Sequence, residues 1–262
     1  MNVSKLHMIA YTRASAVAPT SYEAMTAIAD GILARVGTDR HMVPVGMKII
    51  AAYATQGVAT WTYPDFRINA PSLLRVTMPL IVPIEPPVGG TAGDPNVQEL
   101  FDRPLVLKGD EGLGVDVRAA VAGTAGIPWA LLMLADELEP VPAGEASWFR
   151  GIDATTTTVA DAWSPLSALA WDETLGTGVY AVIGAVHIGP VGAVAARLQF
   201  NGASLRPGTI SVTSTIARTH RMFMDGSLGV LGTFNTFAPP SVEVLGTIAA
   251  GHRIFLRVIK IG

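Results

Sequence analysis

The chain has 262 residues, 50% of them hydrophobic and 15% charged, with a formal net charge of −3 and a mean hydropathy of +0.41. That length gives one large or two small domains with ample material for a core, and the charge balance excludes a surface built to displace counterions from nucleic acid. No cysteine is present, which excludes disulfides, thiol catalysis and Cys-type zinc sites.

The N-terminus MNVSKLHMIAYTRASAVAPT ends in an Ala-x-Ala-like pattern, but His7, Tyr11, Thr12 and Arg13 interrupt its apolar residues, so it does not read as a signal peptide. It is no basic arm either, because Lys5, Arg13, Arg35 and Arg40 are offset by Glu23, Asp30 and Asp39. Next, Met25, Ile28, Ala29, Ile32, Leu33 and Val36 recur at helical spacing, with Thr20 or Ser21 to cap the start and Gly37 the end. Residues 1–44 are therefore expected to form an N-terminal arm carrying an amphipathic helix. Its polar positions lack the Lys and Arg that anionic lipid attracts, which favours packing on a sheet rim over a membrane surface.

Beyond residue 44 the composition turns to β-structure. Gly (27) and Pro (18) are frequent, Val, Ala and Thr abound, and Lys and Glu are few. The stretch 49–73 is apolar, then a Gly-centred turn, then apolar again, and ends in Asn69-Ala-Pro-Ser-Leu. Proline-rich IVPIEPPVGGTAGDP, 81–95, reads as a long loop. KGDEGLGVD, 108–116, gathers Asp110, Glu111 and Asp116 beside three glycines, but its spacing is not that of a calcium loop or a dinucleotide fingerprint, and a solvated turn between strands is the expectation. An apolar run, WALLMLA from Trp129, closes a first sandwich over 45–140.

Residues 141–176 join two halves and hold Trp148, Trp163 and Trp171. A solvated linker seldom carries so many aromatics, so this connection is expected to pack against the protein, with short helices at VADAW and SPLSALAW. Large aromatics outside a strand pattern are also typical interface anchors, which makes these three tryptophans the candidate interface residues.

The following stretch, VYAVIGAVHIGPVGAVAA (179–196), is long enough to suggest a membrane span. Gly189-Pro190 breaks it, and Val and Ile on either side prefer strands. Aligned without gaps, 49–73 matches 181–205 at an offset of 132, Asn69-Ala-Pro-Ser-Leu meeting Asn201-Gly-Ala-Ser-Leu, and the first copy is too polar for a bilayer. A second match, VDVRAAVAG from Val115 against VEVLGTIAAG from Val242, keeps the order at an offset of 127. The stretch 179–196 is thus expected to be two buried strands of a second sandwich, 177–262, that repeats the first.

No chemistry is announced. His7, His41, His187, His220 and His252 lack metal-ligand spacing, with His187 expected as a strand-end residue. There is no nucleophile elbow or Walker loop, and Asp153, Asp161, Asp172 and Glu173 are not paired by spacing. No catalytic, cofactor-binding or metal residue is assigned.

Two tandem β-units, an N-terminal helix, a packed connection, low charge and the turn-and-strand style of PLVLKGDEGLGV, from Pro104 to Val115, together resemble the double jelly-roll major capsid proteins of tailless icosahedral viruses, those of the membrane-containing type. The resemblance implies a mainly β fold of two tandem jelly-roll-like β-sandwiches with an N-terminal helix and short connecting helices. It also implies a structural protein without enzymatic activity or cofactor, a homotrimer forming pseudo-hexagonal capsomers, and further self-assembly into a virion shell in the host cytoplasm. Vertex or minor capsid proteins and an internal lipid membrane would be its neighbours, without sequence-specific nucleic-acid binding. A non-viral self-assembling surface or appendage subunit is the alternative reading. A cupin-like or carbohydrate-active β-enzyme is another, and it would need convergent carboxylates or a His cluster on one sheet face.

Overall fold

A computed structural model of the chain describes residues 4–13, 21–56, 65–73, 81–83, 96–118, 128–153, 162–171, 174–189, 193–213, 228–246 and 251–262. Every regular element among these residues is a β-strand, and the protein is mainly β. Two compact units divide the chain: an N-terminal unit, Ile9–Leu134, and a C-terminal unit, Met1–Met8 with Ala135–Gly262. Of the arm expected at 1–44, residues 9–44 belong to the N-terminal unit and 1–8 to the C-terminal unit, which also holds the connection expected at 141–176.

The first twelve strands are β1 (Leu6–Thr12), β2 (Glu23–Ala24), β3 (Thr26–Ala27), β4 (Arg35–Val36), β5 (Arg40–Val43), β6 (Lys48–Gln56), β7 (Asp65–Asn69), β8 (Ile81–Pro83), β9 (Asn96–Glu99), β10 (Leu105–Val106), β11 (Glu111–Arg118) and β12 (Pro128–Ala135). They form two six-stranded sheets. One has the order β10-β6-β12-β1-β3 with β9 also on β6, the other β4-β5-β11-β7-β8 with β2 also on β11. Tyr11 on β1 links the sheets: its hydroxyl donates to the Leu113 carbonyl on β11 at 2.7 Å, and its ring meets His41 of β5 edge-on. Along β7 the alternation is clean, with Phe66 and Ile68 buried and Asp65, Arg67 and Asn69 half-buried on the other face.

No N-terminal helix is seen among the described residues. Residues 23–27 instead form β2 and β3, where Met25 and Ala27 are buried in a period of two, and the Met25 amide donates to the Val115 carbonyl of β11. Asp30 then accepts from the amides of Ile32 and Leu33 at 2.8 and 2.7 Å, a turn in which Gly31 takes φ +77°. A side chain that takes these two amides offers the backbone an alternative to the helical hydrogen-bond ladder. Of the acids of 108–116, Asp110 is exposed in a bend between strands, as expected, whereas Glu111 and Asp116 are buried on β11. Glu111 is buried at the start of β11, where Ser72 donates to it from its amide at 2.7 Å and from its hydroxyl.

The C-terminal unit contains β13 (Ala146–Asp153), β14 (Ser167–Ala168), β15 (Ala170–Trp171), β16 (Val179–Gly189), β17 (Ala193–Gln199), β18 (Gly208–Thr213), β19 (Gly232–Asn235), β20 (Ser241–Gly246) and β21 (His252–Lys260). They make one nine-stranded sheet, β14-β20-β17-β18-β16-β21-β13-β15 with β19 also on β16. The short helix expected at SPLSALAW is replaced by β14 and β15. Of VADAW, residues 159–161 lie outside the described residues, and Trp163 makes an isolated bridge to Leu245. Of the eighteen residues from Val179, those described lie in two strands, β16 and β17. They do not form a hairpin, because β18 lies between them, parallel to β16 and antiparallel to β17.

The same pairing scheme governs both units. The first strand pairs with the last (β1 with β12, β13 with β21), and a short second strand with the next-to-last (β2 with β11, β14 with β20). Inside them, β6 pairs with β9 and β16 with β19, then β7 with β8 and β17 with β18. The register refines the repeat. Arg67 faces Asp116 and Arg197 faces Glu243, and the turns after them close between Leu73 and Ala70 and between Ala203 and Phe200. β7 thus corresponds to β17 at an offset of 130, two residues from the ungapped match, whereas 127 holds for β11 and β20. The Asn-x-x-Ser-Leu identity was out of register.

Candidate interaction surface

That register places a corresponding group of side chains on the outer face of β7 and β11 and of β17 and β20. In the N-terminal unit Arg67 donates to Asp116 from Nη2 at 2.7 Å and from Nε at 3.3 Å, and Asn69 adds a bond at 3.2 Å. One step along, Arg118 pairs with Asp65 at 3.1 Å. Opposite charges directly across two strands attract, so the two pairs reinforce the register. Tyr22, just before β2, places its ring under both guanidinium groups, 4.5 Å from Arg67 and 4.7 Å from Arg118. Burial, with the Asp65 carboxylate beside it, pushes the Tyr22 phenol up to about 12.

In the C-terminal unit the Arg197 Nε donates to Glu243 at 2.6 Å, and Arg206 takes the second carboxylate oxygen at 2.6 Å. Trp163, just before β14, stacks over Arg197 at 4.2 Å. Tyr22–Arg67–Asp116 and Trp163–Arg197–Glu243 are therefore the same arrangement of aromatic, guanidinium and acid. The sequence signal was there: Val115-Asp-Val against Val242-Glu-Val, and Arg-Ile-Asn against Arg-Leu-Gln, the second hidden by the two-residue shift.

The two faces differ in their cover. The Arg67 side chain keeps 34% of its surface, whereas Arg197 keeps 0%. Residues 4–8, the two before β1 and its first three, lie over the latter: the Met8 carbonyl accepts from Arg197 Nη1 at 3.3 Å, the Met8 amide donates to the Arg206 carbonyl at 2.9 Å, and the Arg206 amide donates to His7 Nδ1 at 3.1 Å. Gly208 makes room for this cover, since a Cβ there would run into the Met8 side chain.

Of the candidate tryptophans, Trp163 is buried and Trp171 on β15 stacks on Phe234 at 5.8 Å, both inside the C-terminal unit. Trp148, on β13, is 43% exposed. Trp148 and Trp171 thus lie on paired strands, β13 and β15, and Trp163 bridges to Leu245 of β20.

One polar cluster escaped the sequence reading. His187 Nδ1 lies 2.6 Å from the Ser211 hydroxyl, and His187 Nε2 lies 3.0 Å from His252 Nδ1, the two rings stacked at 5.1 Å. Parallel pairing of β16 with β18 sets His187 opposite Ser211, a juxtaposition that no spacing could reveal. Both imidazoles are fully buried, so their bonds serve the fold before any reagent. Among the described residues no group of three metal-binding side chains occurs. Asp161, Asp172, Glu173 and His220 lie outside the described residues.

No protein-family model matches the chain, and no curated protein matches it. No helix among the described residues is long and apolar enough to cross a membrane.

Proposed function

We propose that this chain is a structural protein, the major capsid protein of an icosahedral shell, built from two jelly rolls and working as a trimeric, pseudo-hexagonal capsomer. The observation that carries the reading is the shared pairing order: first strand with last, second with next-to-last, and so inward, in both units. A jelly roll is an eight-strand antiparallel arrangement of two Greek keys with this order. Two in tandem are what the sequence resemblance led us to expect. Three chains would supply six similar walls, a footprint suited to a closed lattice. A chain with only 15% charged residues gains by burying its flanks between neighbours. The function is assembly and not catalysis, and the shell's vertex and minor proteins and an internal membrane are its proposed neighbours in the virion.

Light scattering and negative-stain microscopy of the purified protein test this. A mass of three chains with six-lobed outlines, or closed shells, is the expected result. A stable monomer at high concentration overturns the reading, and filaments or flat sheets would move the protein to the surface or appendage subunits.

A further inference from the structure

We propose that residues 144–148 of one copy dock on the Tyr22–Arg67–Asp116 face of a second copy, so that Trp148 and Arg67 anchor the contact between chains. This deepens the self-assembly reading and rests on it.

The template lies inside the C-terminal unit. There the face carrying Arg197 and Glu243 is closed by the residues that enter β1, from two positions before the strand to its third residue, 4–8. Ser4, Leu6, His7 and Met8 are buried in that position. The N-terminal unit carries the same aromatic, guanidinium and acid on the same strands, yet Arg67 and Arg118 stay partly exposed. One face is fully covered, and its counterpart leaves both guanidinium groups partly exposed.

The covering element is also present twice. β1 and β13 hold the same place in the pairing order, each next to the last strand and to a two-residue strand, β3 or β15. Counting from the strand starts, residues 4–8 correspond to 144–148. Those five residues, Gly144, Glu145, Ala146, Ser147 and Trp148, are all exposed. β15 pairs only with Gly151 and Ile152, so among the described residues 146–150 have β21 as strand partner on one side alone. An open edge with an exposed tryptophan is a feature that proteins ordinarily cover.

A partly open face and an open segment of matching kinds on every chain make a head-to-tail contact, in which a surface meets a different surface on the next copy. Such contacts close into a ring when the rotation allows it. Two charge pairs and a ring-stacked Tyr on one side, and a tryptophan beside backbone donors on the other, also have the composition of an interface centre, where aromatics and Arg concentrate.

The chain has no cysteine, which makes the test direct. Asn69→Cys and Ser147→Cys are co-expressed as two differently tagged chains and treated with a short bismaleimide. A covalent dimer containing both tags is expected, and Ser147→Cys alone should give none. Trp148→Ala, at an exposed site, should keep its circular dichroism spectrum and associate about 30-fold more weakly, the size of a hot-spot truncation. A trimer with no mixed cross-link overturns this contact while leaving self-assembly standing. A dimer from Ser147→Cys alone shows a like-to-like contact and also overturns it, and a monomeric parent protein removes both readings.

Discussion

Arg67 and Arg197 stand at equivalent points of the two units, and their surroundings set very different energies on the same chemistry. With a third of its side chain in water, the Arg67–Asp116 pair contributes at most about 1 kcal/mol, because water screens it and ordering a long side chain costs entropy. Arg197 is fully buried and bonds to Glu243 and the Met8 carbonyl. Removing one side of such a pair strands its partner and typically costs about 3–5 kcal/mol. In urea titrations of the chain, Arg197→Ala should lose about that much and Arg67→Ala less than about 1 kcal/mol. Equal losses would contradict the difference in cover. Each arginine was visible in the sequence, but nothing local marked Arg197 as a buried charge; its cover comes from residue 8, far along the chain.

At the scale of elements, the segment 23–36 shows how a helical period can mislead. Met25 and Ile28 are apolar in a helix pattern, and both are buried here too, but pairing on β11 and β1 offers their backbone longer-range partners. Gly31 separates the two conformations by the sign of one measurement. At φ +77° with nothing within 4 Å of an added Cβ, Gly31→Ala meets no clash and should destabilise by about 1 kcal/mol from backbone strain alone. In a helix interior the same change would stabilise by about 1 kcal/mol. Thermal or urea unfolding of the variant decides. The strands at 179–189 and 193–199 were legible because Gly and Pro punctuate β-branched runs; that β18 would come between them was not, since strand neighbours are chosen by the sheet.

Across the whole molecule, the repeat is a property of pairing more than of identity. It also distributes the ionisable groups unevenly: Tyr11, Tyr22 and Tyr53, all within the N-terminal unit, have phenols raised above their ordinary value, burial being the main cause in each. Below pH 10 these groups are protonated whether folded or not, so their full contribution is present. Between pH 10 and about 12 the unfolded chain releases protons that folded Tyr22 keeps, which favours unfolding, and Tyr11 and Tyr53 add to the loss with the same sign. Urea midpoints should therefore fall steeply from pH 10 upward, and at least these three of the five tyrosines should ionise late in an absorbance titration. A midpoint flat to pH 12 would contradict their burial.

What the sequence determined by itself is the class of structure and its duplication. Gly, Pro and β-branched residues carry their conformational preferences locally, and Val-Asp-Val against Val-Glu-Val survives as a readable echo. What only the tertiary structure decided is the register of that duplication, the loss of the helix, the meeting of His187 with Ser211 and His252, and the fuller covering of one arginine face than of the other. Each of these depends on which distant strand supplies the partner for a hydrogen bond or a charge. That choice is made by packing two sheet faces at once, so it is recorded in no single stretch of residues.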